Sequence, residues 1–325
     1  MTNGTWRLLT AAAVVVAAAA VSAAAQAVEL RYKWVKGDVL DYRMTLHTTS
    51  DVSGVPGRAD TKTEQTVTQR IALTVDGVAP SGVASVHETV TEIRSELSGP
   101  SGKIVVDTAK PSETSKDPVA EAMTKMLTAV VGQPINIVFA PDGTVRSLEG
   151  GSRLLDRIVD AGNANRETAM ASQALTSLYS DEALRSMLEQ SFPKLPAHSL
   201  KPGDTWTGQI ALGNQAVGRI TAALTFTLKA VEGAADAQRA LVSAAMTLTQ
   251  EVKPPPAGTT RMTMTLGDSH GSGDLVFDVS RGRLVRTSML TEMPSTVNMI
   301  GPDGSPMTFR NHVRTTATME LAAGR

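Results

Sequence analysis

The chain has 325 residues, no cysteine, and 31 Lys and Arg against 32 Asp and Glu, a net charge of −1. This excludes disulfides, thiolate metal sites, cysteine nucleophiles and lipid attachment through a cysteine, and a near-neutral balance argues against nucleic acid or an anionic membrane as the main partner. Aromatic residues make up only 3% of the chain while Met numbers 14, so aliphatic side chains, Met and Thr must fill the core of a sheet-rich protein.

In chain order, the first segment is a leader. Arg7 is the only charge before Glu29, an apolar run of Leu, Ala and Val follows it, and the run closes on Ala25-Gln26-Ala27. A positive start, an apolar centre and a small-residue exit predict a signal peptide over residues 1–27 and a mature start at Val28. No later apolar run reaches the roughly 18 residues that span a bilayer. The expectation is an exported chain, in periplasm or medium, soluble after cleavage and without stable membrane insertion.

Beyond the leader the pattern divides into a first β half at 28–116, a helical insertion at 117–192 with a hairpin at 134–148, and a second β half at 193–325. Asp117-Pro118 supplies an N-cap and a proline at the first helical position, and Val119, Ala122, Met123, Met126, Leu127 and Val130 form one stripe. A second helix is predicted over Ser152 to Ala161 with Leu154, Leu155, Ile158 and Val159 inward, and a third after Asn165. A fourth starts at Ser180, buries Leu184, Met187, Leu188 and Phe192, and stops at Pro193. Strand alternation then takes over: Ile220 to Leu228, Val242 to Leu248, Met262 to Leu266, and Met307 to Leu321.

The two β halves look related. Lys36-Gly37-Asp38-Val39-Leu40 matches Pro202-Gly203-Asp204-Thr205-Trp206, and the hairpin Phe139 to Arg146 matches Phe277 to Leu284. The expected fold is therefore α+β: a curved, half-barrel-like antiparallel sheet from two related halves, with inserted helices packed on its concave side.

On Phe139 to Gly143, Ser180-Asp181-Glu182-Ala183-Leu184, Phe192-Pro193 and Pro202 to Trp206, the chain resembles a family of exported bacterial proteins of unknown function. More remotely it is similar to the lipoprotein-carrier (LolA-like) superfamily, in which a curved sheet forms an incomplete barrel plugged by helices. That resemblance implies a concave face that holds acyl chains.

No catalytic motif stands out. His47, His87, His198, His270 and His312 show no H-x-H or H-x-x-x-H pairing, so each reads as a solvated histidine. Asp268-Ser269-His270-Gly271-Ser272-Gly273-Asp274 holds acid, hydroxyl and imidazole, but its Gly, Ser and Asp predict a turn. Asp107, Glu113, Asp117 and Glu121 lack the regular spacing of a calcium loop. The methionines on helical and strand apolar faces carry the functional reading. Met123, Met126, Met187, Leu188, Met246, Met262, Met264 and Phe277 are the candidate lining of an apolar cavity, with Met170 and Met319 on similar faces.

The sequence thus predicts a binding protein for a lipid or other apolar molecule, with no cofactor, metal or catalytic residue. The alternative is a cell-envelope scaffold or interaction module with a solid core. A hydrolase is a third reading, and would need a histidine to meet a serine and a carboxylate in space. N-terminal sequencing of the exported protein is expected to begin at Val28; material that keeps Met1 would overturn the leader.

Overall fold

The computed structural model describes residues 27–110, 113–162, 181–212, 219–251, 262–300 and 305–322. Among these, period-2 alternation gives β1 (Val39–Ser53), β2 (Thr61–Val78), β3 (Ala84–Gly99), β4 (Gly102–Asp107), β5 (Pro134–Phe139) and β6 (Val145–Glu149). The second half adds β7 (Thr205–Leu212), β8 (Arg219–Glu232), β9 (Arg239–Glu251), β10 (Met262–Leu266), β11 (Ser269–Asp278), β12 (Arg283–Ile300) and β13 (Pro306–Leu321). They join in one curved, open, antiparallel sheet of 13 strands, in the order β6-β5-β3-β2-β1-β13-β12-β11-β9-β8-β7. Two short strands lie off that path: β4 pairs the far end of β3, and β10 the far end of β12.

The two halves repeat atom for atom at their entry turns. Gly37 and Gly203 both hold positive φ, 89° and 98°, which favours glycine. Gly37 N–H donates to Val75 O at 2.9 Å, and Val75 N–H donates to Asp38 O at 2.9 Å. In the second half Gly203 N–H donates to Leu228 O at 2.7 Å, and Leu228 N–H to Asp204 O at 3.0 Å. The bulges also correspond: Val75/Gly77 with Leu228/Ala230, and Val138/Phe139 with Val276/Phe277. Hence β1, β2, β3, β5 and β6 match β7, β8, β9, β11 and β12, and the sheet runs through the same order twice, with β13 as the seam.

Three helices lie among the described residues: α1 (Pro118–Val130), α2 (Gly151–Gly162) and α3 (Asp181–Ser191). Asp117 caps α1 as the sequence predicts, its carboxylate accepting from the N–H groups of Val119 and Ala120. Two inward assignments fail. Val119 is 40% and Val159 39% exposed. The reason is the partner: α1 packs against α2 and β4, so Ala120 takes the inward place, and α2 presents the narrow seam of Leu154 and Ile158. The third predicted helix, with Met170, lies outside the described residues.

The scarce aromatics are gathered rather than spread. The ring of Phe192, just past α3, meets Tyr32, Tyr42 and Phe139 at centroid distances of 6.2, 5.7 and 5.6 Å. Trp34 stacks on Tyr32 and Phe139, and Phe277 meets Tyr32 edge-on. The segment before β1 passes between the two repeat hairpins, with Tyr32 N–H on Pro141 O at 2.8 Å and Lys33 N–H on Gly282 O at 2.9 Å.

One predicted turn is a strand. Asp268–Asp274 was expected as a connection, yet Ser269 to Asp274 opens β11 and pairs with both β9 and β12. Its glycines serve close approach instead of a turn. A Cβ on Gly271 would lie 2.7 Å from both Leu290 O and Met246 Cε, and one on Gly273 would collide with Ser288 O and Met289 Sδ. Gly273→Ala is therefore expected to cost about 1–3 kcal/mol, while Gly77→Ala, which meets nothing within 4 Å, stays near neutral. Equal thermal midpoints for the two variants would refute this packing of β11.

Candidate functional site

The register equivalence locates the site. In the first half, the inner face carries Tyr42 beside Ile71, and Leu73 beside Glu88 and Ile135. The same positions in the second half carry Gly208 beside Leu224, and Phe226 beside Ala244 and Gly273. Tyr has become Gly, Glu has become Ala and Ile has become Gly, and a hollow lies over Gly208. It is a cavity of about 270 Å³ whose floor is Gly208, Ile210, Leu224, Phe226, Leu275 and Met289, close to the small end of ligand pockets.

The roof comes from the first half's inserted elements: the turn at Gly143-Thr144, Glu189 and Gln190 at the end of α3, and Phe192 to Lys194. Several bonds hold it over the floor. Trp206 Nε1 donates to Lys194 O at 3.1 Å, Leu195 N–H to Asp142 O at 2.8 Å, Ser186 Oγ to Ala211 O at 3.0 Å, and the Tyr32 hydroxyl to Pro193 O at 3.2 Å. Gly143, at φ 88°, is required because a Cβ would sit 3.0 Å from Pro193 O and 2.6 Å from the Tyr32 ring. Polar groups (Thr144, Glu189, Gln190, Lys194, Gln209) join the apolar lining.

None of the eight residues expected from sequence lines this cavity. Met126 is fully buried among α1's core contacts, and Phe277 is buried against Tyr32. Met123 and Met246 are half-buried against the core, and Met246 stands beside the floor residue Leu224. Met264 is half-buried at the far end, paired with Val297. Met262 pairs with Met299 in the ladder, and its side chain lies outside the described residues. Met187 and Leu188 do come together, over a second, much smaller void of about 10 Å³ in the first half, walled also by Tyr42, Leu73, Phe192 and Met319.

That small void contains Glu88, which the sequence reading passed over. Glu88 is 5% exposed, and burial pushes its carboxyl from 4.5 up to about 7. The signal was present: Val86, Glu88 and Val90 alternate, so a charge occupies the apolar register. Gly208 and Ala244 were also legible, by aligning the repeats and asking where one half is smaller. Burial likewise raises the Tyr42 hydroxyl above its ordinary value, and it donates to Leu284 O at 2.9 Å.

The remaining polar candidates have structural partners. Arg94 binds Glu96, Asp107 and Glu113 together, and Asp107 also accepts from the Ala109 and Lys110 N–H groups. His87 pairs with Asp76 at 2.9 Å, and His47 Nδ1 lies 3.0 Å from Thr66 Oγ1. Ser269 is buried while its neighbour His270 is exposed on the opposite face, so this acid–hydroxyl–imidazole run is not brought together. Among the described residues no group of three or more His, Asp or Glu could hold a metal ion.

Residues 81–282 match the sequence profile described as Family of unknown function (DUF6263), and the chain belongs to that family. No curated protein matches the chain. Among solved structures it is similar to lipovitellin, studied for its lipid–protein interactions, at 9% identity and TM-score 0.43. That similarity covers 90% of this chain but only 26% of the lipovitellin chain. It is also similar to DynF of the dynemicin biosynthesis pathway of Micromonospora chersina (10% identity, 91% of this chain, 85% of that one, TM-score 0.19). A third is OpdQ of Pseudomonas aeruginosa (7% identity, 88% of this chain, 100% of that one, TM-score 0.20).

The raised carboxyl makes stability depend on pH. The unfolded chain ionises Glu88 near 4.5 and the folded chain near 7, so stability held below 4.5 is lost as pH rises through 7. The loss totals about 3 kcal/mol. Glu88→Gln is expected to gain stability relative to the natural chain between pH 4.5 and 8 by roughly that amount. A difference that stays constant with pH, measured by urea unfolding, would overturn the burial of an unpaired carboxyl.

Proposed function

We propose that this DUF6263 protein is an exported binding protein for a small apolar ligand, held in the second-half cavity. One observation carries the reading: a preformed hollow of about 270 Å³ with an apolar floor and polar groups alongside, the ordinary make-up of a ligand site. A solid-core scaffold would have no use for Gly208 where its own repeat has Tyr42.

The reading takes 28–116 and 193–325 as the two β halves and 117–192 as the inserted cover. Export rests on Arg7, the apolar run and Ala25-Gln26-Ala27, which lie mostly outside the described residues. No described helix is long and apolar enough to cross a membrane. The lipoprotein-carrier resemblance enters only through a curved sheet covered on its concave side. Met246, beside Leu224, extends the apolar floor, and Met187 and Leu188 flank its first-half counterpart.

The neutral dye N-phenyl-1-naphthylamine is expected to bind the folded protein with enhanced fluorescence and to be displaced by decan-1-ol. Gly208→Leu places its side chain on the floor, and its first added carbon makes ordinary contact, 3.5 Å from Phe226. Dye affinity should then fall at least tenfold with an unchanged thermal midpoint. Dye that binds Gly208→Leu as well as the natural chain would overturn the assignment of the site.

A further inference from the structure

Glu88 is a buried carboxylate, 5% exposed. Burial raises its carboxyl above the ordinary value, and no donor among the described residues reaches it. An unpaired buried carboxylate is expensive, and this one stands in the apolar register between Leu73 and Ile135. The void beside it, about 10 Å³, takes one water-sized group. Ser191 lines the same void, and its hydroxyl can accept a hydrogen. The one other titratable residue lining it is Tyr42, whose hydroxyl is committed to Leu284 O.

The void is not isolated from the larger cavity. Both share the ring of Phe192 as a wall. Along the sheet, Met289 of the larger cavity pairs with Ala317, and Ala317 with Leu46; in the next row Thr287 pairs with Met319, and Met319 with Met44. Met44 and Met319 line the small void. Thr287 of the larger cavity and Met319 of the small void are therefore one strand spacing apart, about 5 Å, on the same face of the sheet.

We propose that Glu88 and its void form the head-group site for a primary ammonium, so that the ligand is a cationic amphiphile with its tail in the second-half cavity. This rests on the apolar-ligand reading above. An ammonium is the size of a water, supplies the missing charge, and presents hydrogens to both Glu88 and Ser191. The repeat divides the labour: one copy keeps a carboxylate for the head, and the other has Gly208 in place of Tyr42, which leaves room for the tail. Binding the cation requires the ionised carboxylate, so it displaces the Glu88 proton.

Isothermal titration of the purified protein with decylamine, decan-1-ol and decanoic acid tests this. At pH 8 decylamine should bind at least tenfold more tightly than decan-1-ol, and decanoic acid more weakly than the alcohol. Decylamine remains cationic at pH 6, yet its advantage should shrink there as Glu88 takes up its proton. Glu88→Gln should lower decylamine to the affinity of decan-1-ol for the natural chain. The natural chain alone decides the matter through its amine-to-alcohol ratio and the pH dependence of that ratio. Equal affinity for amine and alcohol overturns the ammonium site and leaves the cavity reading standing; no binding of any of the three overturns both.

Discussion

The ring of Phe192 is the contact on which the rest of the structure depends. An open sheet has one apolar face to cover, and a chain with 3% aromatics has few large side chains to do it with. Placing Phe192 against Tyr32, Tyr42 and Phe139 joins the N-terminal strap, β1, the first repeat hairpin and the end of α3 at one point. Each such pair adds about 0.5–1.5 kcal/mol beyond the area it buries. The same ring lines both voids, so the closure that stabilises the concave face also shapes it.

The second organising fact is a repeat whose backbone is kept and whose volume is not. Entry turns, bulges and ladder register correspond between the halves, so inner-face positions correspond one to one. Tyr42 against Gly208, and Glu88 against Ala244, then differ by side chain alone. The first half is filled and carries a carboxyl group; the second is hollow over an apolar floor. With the backbone kept, exchanging Tyr42 for Gly208 at one inner-face position leaves a hollow in the second half without any new element.

Most of the fold was legible because periodicity is a local signal. Alternation from Ile220 to Leu228 and from Met307 to Leu321, the Asp117-Pro118 cap and the paired Gly-Asp turns each declare themselves within a few residues. What was not legible depends on neighbours distant in sequence. Gly271 and Gly273 look like turn residues until β12 is known to pass within van der Waals distance. Val119 and Val159 fit an apolar stripe, but α1 and α2 face each other, and their seam is narrower than the stripe. The methionines read as cavity lining because they fall on helical and strand apolar faces; packing placed Met126 in solid core and left Met289, not among the candidates, on the cavity floor.

The second half holds a preformed hollow with an apolar floor where the first half is filled. Crystallography under xenon pressure probes that difference, because xenon enters apolar voids that are already formed. Xenon is expected among Leu224, Phe226, Leu275 and Met289, and none comparable beside Glu88. A xenon-free second half, with Phe226 and Met289 collapsed into the space above Gly208, would show that the hollow does not exist.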